Sequence, residues 1–263
     1  MSTTTSQPWK ITQYTPRHAS WPYSPSDFTR QDESTDATFY SAPRFVTHID
    51  DAAIASLRTY YDTALPRTGR ILDYCSSWTS HYPPSLASAA QHGALKITGL
   101  GMNSAELAAN DLLTHGRLLI DLNTHPDINA ALRSAHLIGP SPTDLLDAST
   151  NVVSTDYLTQ PLEVLSSLRE ATKVGGTVHL AISNRCFPTK ALSRWLRVDE
   201  EERLGMIGDF LHFAGWEGIE IVEVSDGRVA QEGAAQGGLA GLMGYLGVGR
   251  RDPLWVVRAV KGA

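Results

Sequence analysis

Short apolar runs alternate with amphipathic stretches along most of the chain. This pattern is typical of an α/β protein in which helices cover both faces of a sheet. Seven apolar runs are predicted as strands, at residues 70–74, 94–100, 117–121, 145–154, 177–183, 219–224 and 254–260. Helical spacing of apolar residues separates several of them, as at 48–65 and 161–172. The pattern therefore predicts a doubly wound, mostly parallel seven-stranded sheet.

The last two predicted strands depart from the strand–helix alternation. Residues 227–249 between them are rich in Gly and Ala and have no clear period, which indicates a mobile loop or a partly helical connection. Without a long crossover helix, the last strand is expected to run antiparallel. Earlier in the chain, Gly175 and Gly176 are expected to end the helix at 161–172.

Residues 1–38 form an extension rich in Ser, Thr, Pro and Asp, of which the first residues are expected to be disordered. Aromatic residues are unusually frequent in it: Trp9, Tyr14, Trp21, Tyr23 and Phe28. Such a segment fits either an arm that only covers the surface or a lid over a pocket. Residues 39–263 are predicted to be the main domain.

Composition narrows the class of protein. The chain has 263 residues, 42% of them hydrophobic, which is enough for the core of one large domain. Lys and Arg total 22 against 28 Asp and Glu, a net charge of −6, and no basic block occurs. A nucleic-acid partner is therefore disfavoured.

Two cysteines cannot form a disulfide framework or a cysteine-only zinc site, so no metal site is predicted. No apolar run approaches the roughly 18 residues of a membrane span, and the first eight residues do not resemble a signal peptide. We therefore expect a cytoplasmic protein without a membrane partner. The oligomeric state is left open.

Polar residues follow the predicted strands where an open α/β sheet binds its ligand, beyond the carboxyl ends. Asp73 ends the first strand, and Ser76 and Ser77 lie in the small-residue turn after it. This order is typical of a cofactor loop, although an ordinary capped turn would look the same. The chain has no G-x-G-x-x-G in the right context, which disfavours a nicotinamide oxidoreductase.

The next three strand ends carry further candidates, each of which alone would fit a turn or capping residue. They are Met102 and Asn103, then Asp121 and Leu122, then Asn151. Asn103 stands where nucleoside-binding sheets usually have an acidic residue. Together these residues predict a nucleoside-binding crevice.

The same segments resemble a known family. ILDYCSSWTSHYP, ITGLGMNSAELAAN and LLIDLN occur in the order of the class I S-adenosylmethionine-dependent methyltransferases. Within this superfamily, the chain most resembles a branch that carries the sequence motifs LD-x-x-SSW-x-SH-x-P, GLGMN-x-x-EL-x-x-N and SNRCFPTKA. The resemblance covers residues 39–225 and the closing DPLWVVRAVK, whereas the glycine-rich first motif of the superfamily is not matched.

The resemblance implies S-adenosylmethionine as the cofactor and assigns ten residues to it. The residues along its methionine part are Asp73, Ser76 and Ser77. Those at the ribose and adenine are Met102, Asn103, Asp121 and Leu122. Asn151 is assigned to the sulfonium side. Tyr40 and Arg44 would close over the cofactor, where an arginine suits its carboxylate, although Arg44 could also be a surface charge.

Four residues are candidates for acting on the methyl acceptor: Asp156, Tyr157, His81 and His212. Asp156 and Tyr157 follow the fourth strand, and the histidines are the nearest imidazoles, although a single histidine is more often structural. Cys186 lies in a loop, and a structural thiol is favoured over a nucleophile.

Four functions remain open at this stage. The favoured one is a methyltransferase that acts on a small molecule. The second is an enzyme of the same fold that does not methylate, such as a cyclase or isomerase of a biosynthetic pathway. The others are an oxidoreductase and a non-catalytic partner protein.

Overall fold

In the computed structural model, which describes residues 9–227 and 251–263, eight strands form one mixed sheet. The strands are β1 (Lys10–Gln13), β2 (Gly69–Tyr74), β3 (Leu95–Gly101), β4 (Gly116–Leu119), β5 (Leu146–Val152), β6 (Thr172–Ser183), β7 (Glu217–Ser225) and β8 (Leu254–Val260). Their order across the sheet is β1-β7-β8-β6-β5-β2-β3-β4.

The helices cover both faces of this sheet. They are α1 (Asp36–Phe39), α2 (Asp51–Ala64), α3 (Pro84–Gln91), α4 (Ser104–Ala109), α5 (Ile128–Ser134), α6 (Pro161–Ala171), α7 (Ser193–Arg197) and α8 (Glu200–Phe213). Short 3₁₀ turns occur at Pro25–Phe28, Pro142–Asp144 and Thr155–Tyr157. The two longest helices, α2 and α8, begin at aspartate caps. The Asp50 carboxylate accepts from the Ala53 amide at 2.8 Å, and Asp199 caps α8 in the same way.

The strand directions confirm the predicted fold class. Strands β4, β3, β2, β5 and β6 are parallel neighbours, and β8 lies antiparallel between β6 and β7. This is a doubly wound, class I methyltransferase-like Rossmann arrangement. The predicted number of seven strands is one too low. The extension contributes β1, which pairs antiparallel with the edge strand β7.

The two faces of β2 show how the core is divided. Leu72 and Tyr74 point into the cluster formed with α5, α6 and α8. Ile71 points into the opposite cluster, with α2, α3 and α4. Both faces of a central parallel strand are therefore buried, and its polar chemistry is confined to its end.

The prediction that Gly175 and Gly176 end a helix is wrong. Helix α6 ends at Ala171, and strand β6 begins directly at Thr172 and contains both glycines. The register against β5 shifts here, and Gly175 has a φ of +78°, as in a bulge. A side chain on Gly176 would meet the Thr172 methyl group at 2.6 Å.

The described part of the extension packs on helix α8. The fully buried carboxylate of Asp209 accepts hydrogen bonds from Tyr14 (2.5 Å), Tyr23 (2.5 Å) and Arg17 (2.6 Å). Trp21 contacts Phe210 beside this cluster. The division at residue 38 stays a prediction. Nearly all of the Gly- and Ala-rich stretch 227–249 lies outside the described residues.

No helix within residues 9–227 or 251–263 is both long enough and apolar enough to cross a bilayer.

Candidate functional site

A cavity of about 340 Å³ opens at the carboxyl ends of β2, β3, β4 and β5. Residues directly after each of these four strands line it, as do residues 44, 46–49 and 185–187. Because the strands are parallel neighbours, their ends meet at one edge, which is where an open α/β sheet binds its ligand.

The loop after β2 is organised by Asp73. Its carboxylate accepts hydrogen bonds from Ser76 and Ser80, both at 2.7 Å, and from Thr150 at 3.3 Å. Burial raises the pKa of Asp73 to about 6, and these three hydroxyl groups oppose that rise. The aspartate and Ser76 both line the cavity, and their side chains are bonded to each other.

Gly101, at the end of β3, permits this loop to approach. The Ser76 amide donates to the Leu100 carbonyl at 2.6 Å, and a side chain on Gly101 would collide with the Ser76 carbonyl. The close backbone approach that glycines of the loop usually permit is provided here by a glycine of the neighbouring strand.

Asn103 lines the cavity, but its amide is fully occupied. Its oxygen accepts from the backbone amides of Ala105 and Glu106, which begins helix α4, and its nitrogen donates to the carbonyls of Tyr40 and Ser41. An asparagine amide has two donors and two acceptor positions, so none remains for a ligand. The side chain joins the segment before α2 to the sheet.

Glu106 is a cavity residue that the sequence analysis did not select. Its two carboxylate oxygens accept from the Arg44 backbone amide at 2.6 Å and from the Ser77 hydroxyl at 2.8 Å. Glu106 is the third residue of helix α4, where a glutamate commonly caps its own helix. The sequence therefore marks Glu106 only as a possible helix cap and gives no indication of its contacts with Arg44 and Ser77.

Arg44 forms another part of the wall. Its guanidinium donates to the Phe39 carbonyl at 2.9 Å and lies over the rings of Phe39 and Phe187, at 4.5 and 5.6 Å. One terminal nitrogen, Nη1, is enclosed and has no hydrogen-bond partner among the described residues. A buried guanidinium nitrogen without a partner is costly, which makes the Arg44 side chain a candidate for binding an anionic group of a ligand.

The third strand end brings Asp121 and Leu122 to the cavity. One oxygen of Asp121 accepts from the Asn123 amide at 2.9 Å. The Asn123 side chain in turn donates to the Asp36 carboxylate at 2.8 Å and to the Tyr157 carbonyl at 2.9 Å. Asn123 thereby joins this loop to the segment after β5 and to Asp36, a further cavity residue that the sequence analysis missed.

Two predicted site residues lie beneath the cavity and do not line it. Asn151 is fully buried, and its amide is bonded to the Tyr74 carbonyl and the Thr155 hydroxyl. Asp156 is also buried, and its Oδ2 has no hydrogen-bond partner among the described residues. Val152 and Val153 form the wall above Asn151 instead. Asn151 therefore does not line the cavity in this structure, and its assignment to the sulfonium side stays a prediction.

The two candidate histidines differ in their position relative to the cavity. His81 lines the cavity, and burial lowers its pKa to about 4. His48, which the sequence analysis did not select, also lines the cavity, and burial lowers its pKa too. His212 lies in the last turn of α8 beside Tyr14 and Phe213, outside the cavity wall. The structure thus places His212 away from the cavity, and its role as a base stays an untested prediction.

Burial keeps the Tyr157 hydroxyl and the thiols of Cys75 and Cys186 in their protonated forms. Tyr157 lines the cavity, and burial raises its pKa; its hydroxyl oxygen accepts from the Phe187 amide at 2.7 Å. Burial raises the pKa of Cys75 to about 12 and also raises that of Cys186. Both thiols are therefore protonated near neutral pH and are poor nucleophiles.

The aromatic residues of the extension do not line this cavity. Trp21, Tyr23 and Phe28 form a ring cluster with Phe210, and Trp9 packs edge-on against Tyr60. The segment that reaches the cavity begins later, at Asp36, Tyr40 and Arg44.

Acidic residues outnumber basic ones in the cavity wall. The acidic residues are Asp36, Asp73, Glu106 and Asp121, and the basic ones are Arg44 and Arg185. The Arg185 guanidinium also donates to Asp252 at 2.8 Å. The cavity therefore favours a ligand that carries a positive charge as well as one anionic group near Arg44.

Comparison with known proteins gives structural likeness only. No protein-family model and no curated protein matches the chain. Phosphoethanolamine N-methyltransferase 2 of Haemonchus contortus, solved with S-adenosylmethionine, is 15% identical with a TM-score of 0.45, over 80% of this chain and 52% of that one. This chain therefore matches about half the length of that enzyme.

Two other solved structures are similar over most of both chains. A SAM-dependent methyltransferase from Archaeoglobus fulgidus is 14% identical with a TM-score of 0.48, over 80% of this chain and 93% of that one. Geranyl diphosphate C-methyltransferase of Streptomyces coelicolor is 13% identical with a TM-score of 0.46, over 86% and 96%. The fold class given above rests on the strand order and directions.

Proposed function

We propose that this protein binds S-adenosylmethionine in the cavity and transfers its methyl group to a small molecule. One observation carries the proposal. A cavity of about 340 Å³ lies where four parallel strands end, and its wall includes Arg44, whose buried Nη1 has no partner within residues 9–227 and 251–263. The volume is within the range of small-molecule sites.

The chemistry of the wall fits the parts of this cofactor. The sulfonium is a cation, which suits a wall with four acidic and two basic residues. Met102 and Leu122 offer apolar surface to an adenine, and Asp121 offers a carboxylate to its amino group. Arg44 would bind the methionine carboxylate through its guanidinium group, with a charge-assisted hydrogen bond.

Glu106 is the better candidate for the ribose hydroxyls than Asn103. Each carboxylate oxygen of Glu106 has one protein donor and can accept a second hydrogen bond. The Asn103 amide is fully occupied, so its contribution would be to position Tyr40 and helix α4. Ser76 and Ser77 would hold the loop in shape through Asp73 and Glu106.

S-adenosylmethionine supplies, when bound, an electrophilic methyl group. The residues of this chain would exclude water and accept the proton of the acceptor. His81 and His48 both have lowered pKa values, so both imidazoles are neutral near pH 7 and able to accept a proton. Tyr157 would support the Phe187 backbone on the acceptor side.

Calorimetric titration with three ligands tests the proposal. S-adenosylmethionine and S-adenosylhomocysteine carry the carboxylate, whereas 5′-methylthioadenosine lacks it. Arg44→Gln should weaken binding of the first two by about 10- to 100-fold, as expected for one charge-assisted hydrogen bond, and leave 5′-methylthioadenosine unchanged. Glu106→Gln should weaken all three, because each contains the ribose.

Arg67→Gln is the matched control, since Arg67 is an exposed arginine paired with Asp62 outside the cavity. If the wild-type protein bound neither S-adenosylmethionine nor S-adenosylhomocysteine, the proposal would be wrong. Binding without methyl transfer to any acceptor would favour the non-methylating cyclase or isomerase.

A further inference from the structure

A second cavity, of about 440 Å³, lies at the opposite end of the sheet. It is built from the beginnings of β2 and β3, the residue before β4, and the segment after α5. We call it the basic pocket. Its charged and titratable lining residues are Arg70, Lys96, His115, Arg133, His136 and Asp144.

The charge of the basic pocket contrasts with that of the whole chain. It has three permanent cations and one carboxylate, whereas the chain carries a net charge of −6. The one internal ion pair is long, since Arg70 Nη2 lies 3.5 Å from Asp144 Oδ1. The positive charge of this pocket is therefore incompletely balanced.

Several hydrogen-bond donors of the pocket have no partner in the described part of the chain. Lys96 Nζ and the His136 ring form no hydrogen bond there, and Lys96 forms no ion pair. The Arg133 guanidinium is held by Asn129 and by the Gly139 carbonyl through Nε and Nη1, which leaves Nη2. Arg70 Nε is enclosed and also lacks a partner.

His115 responds to this uncompensated charge. Burial lowers the pKa of His115, and the charges of Lys96 and Arg70 lower it further. A hydrogen bond with the Leu137 backbone acts in the opposite direction. An anion in the pocket would offset those two charges. The pKa of His115 should therefore rise when an anion binds in the pocket.

We propose that the basic pocket binds a small phosphorylated molecule through its phosphate group. Side chains with hydrogen-bond donors line the pocket from three separate elements, namely strand β3 (Lys96), helix α5 (Arg133) and the loop after it (His136). Such a set suits the three oxygens of a phosphate better than a single carboxylate. The bound group is small, because the acidic remainder of the chain repels a long polyanion.

This site is distinct from the proposed cofactor cavity. The two lie at opposite ends of the same strands, and no lining residue is shared between them. Phosphate binding would therefore be independent of whether S-adenosylmethionine binds.

The test is an NMR titration of the His115 and His136 C2 protons with inorganic phosphate, pyrophosphate or succinate at constant ionic strength in chloride. We expect saturable shifts with phosphate, tighter binding of pyrophosphate, and a rise in the pKa of His115. Lys96→Gln and Arg133→Gln should each weaken binding at least fivefold. Arg67→Gln, which removes an exposed arginine outside the pocket, should change nothing.

Three results would overturn the proposal. They are the absence of a saturable shift up to 50-fold molar excess of pyrophosphate, about equal binding of succinate and pyrophosphate, and unchanged pyrophosphate binding in both charge-removing variants. Thermal unfolding of each variant without ligand shows whether it is folded. Arg133 and Lys96 are both exposed, so their replacement should leave the fold intact.

Discussion

The loops after β2 and β5 follow neighbouring parallel strands and reach the same edge of the sheet. Each has a non-glycine residue with positive φ, Cys75 at +54° and Val153 at +43°. Each also places an aspartate near the cavity, Asp73 at the end of β2 and Asp156 after β5. The two carboxyl groups can therefore be compared with each other.

The partners of the two aspartates differ. Asp73 accepts hydrogen bonds from three hydroxyl groups, whereas Asp156 Oδ2 has no partner among the described residues. Burial raises both pKa values, to about 6 for Asp73 and to about 8 for Asp156. The three hydroxyl groups lower the pKa of Asp73 because they stabilise its ionised form, whereas that of Asp156 is lowered by its own backbone amide and by the charge of Arg203.

This difference assigns different tasks to the two loops. Asp73 is ionised near neutral pH and holds its own loop in place. Asp156 is protonated at that pH and lies below the cavity wall, so it is a poor proton acceptor there. Of the four residues predicted to act on the acceptor, His81 and Tyr157 are the two that line the cavity.

The largest expected effect comes from removing the better-bonded carboxylate. Asp73→Ala leaves the Ser76 and Ser80 hydroxyl groups without their acceptor. We expect a loss of about 3 kcal/mol in the free energy of unfolding, measured by urea denaturation near pH 7.5. Binding of S-adenosylmethionine should weaken in parallel, because the loop loses its shape.

Ser80→Ala is the graded control for this prediction. It removes one of the three donors to Asp73 and should cost about 1 kcal/mol. Equal losses from the two variants would contradict the view that Asp73 organises the loop.

The next effect is a pH dependence due to Asp156. Its pKa is raised to about 8 in the folded protein from 3.8, so between pH 6.5 and 8 unfolding releases a proton. The stabilisation is fully present below the unfolded pKa and is lost as the pH rises through the folded one. Relative to an Asp156→Asn variant, the wild-type protein should therefore lose about 1–2 kcal/mol of stability between pH 6.5 and pH 8 in urea denaturation.

Asp156→Asn keeps the shape of the side chain and removes its titration. Burial lowers the pKa values of His81 and His179, so the free energy of unfolding of this variant should rise slightly over the same interval. The same pH dependence in both proteins would show that Asp156 is not responsible.

Local patterns predicted the fold and the loop around Asp73, because a strand end followed by small polar residues is visible within ten residues. Asp73, Ser76 and Ser77 were predicted from it and line the cavity. The contact of Glu106 with the Arg44 amide joins residues 62 positions apart, and no local pattern reports it.

For the same reason, the sequence does not reveal that every hydrogen-bonding position of the Asn103 amide is occupied. The sequence shows an amide at a strand end, but its donors are used by the distant Tyr40 and Ser41 carbonyls. The placement of His212 also depended on tertiary structure, since helix α8 packs against the extension and not at the cavity. Residue type and spacing indicate which chemistry is possible. Whether a given donor or acceptor is free to bind a ligand depends on the tertiary contacts of that atom.

The smallest expected effect tests the one bond that joins the two regions. Thr150 of β5 is paired in register with Asp73 of β2; its hydroxyl donates to that carboxylate at 3.3 Å and is hydrogen-bonded to Tyr82 at 2.6 Å. Because 3.3 Å is long for such a bond, Thr150→Val should cost only about 1 kcal/mol in urea denaturation, mostly through the buried Tyr82 hydroxyl. It should also raise the pKa of Asp73 further, which shifts the pH dependence of stability upward. Thr98→Val, a buried strand position without a side-chain hydrogen bond among the described residues, is the matched control. If both variants left the pH dependence of stability unchanged, β5 would contribute nothing to the charge held by the loop after β2.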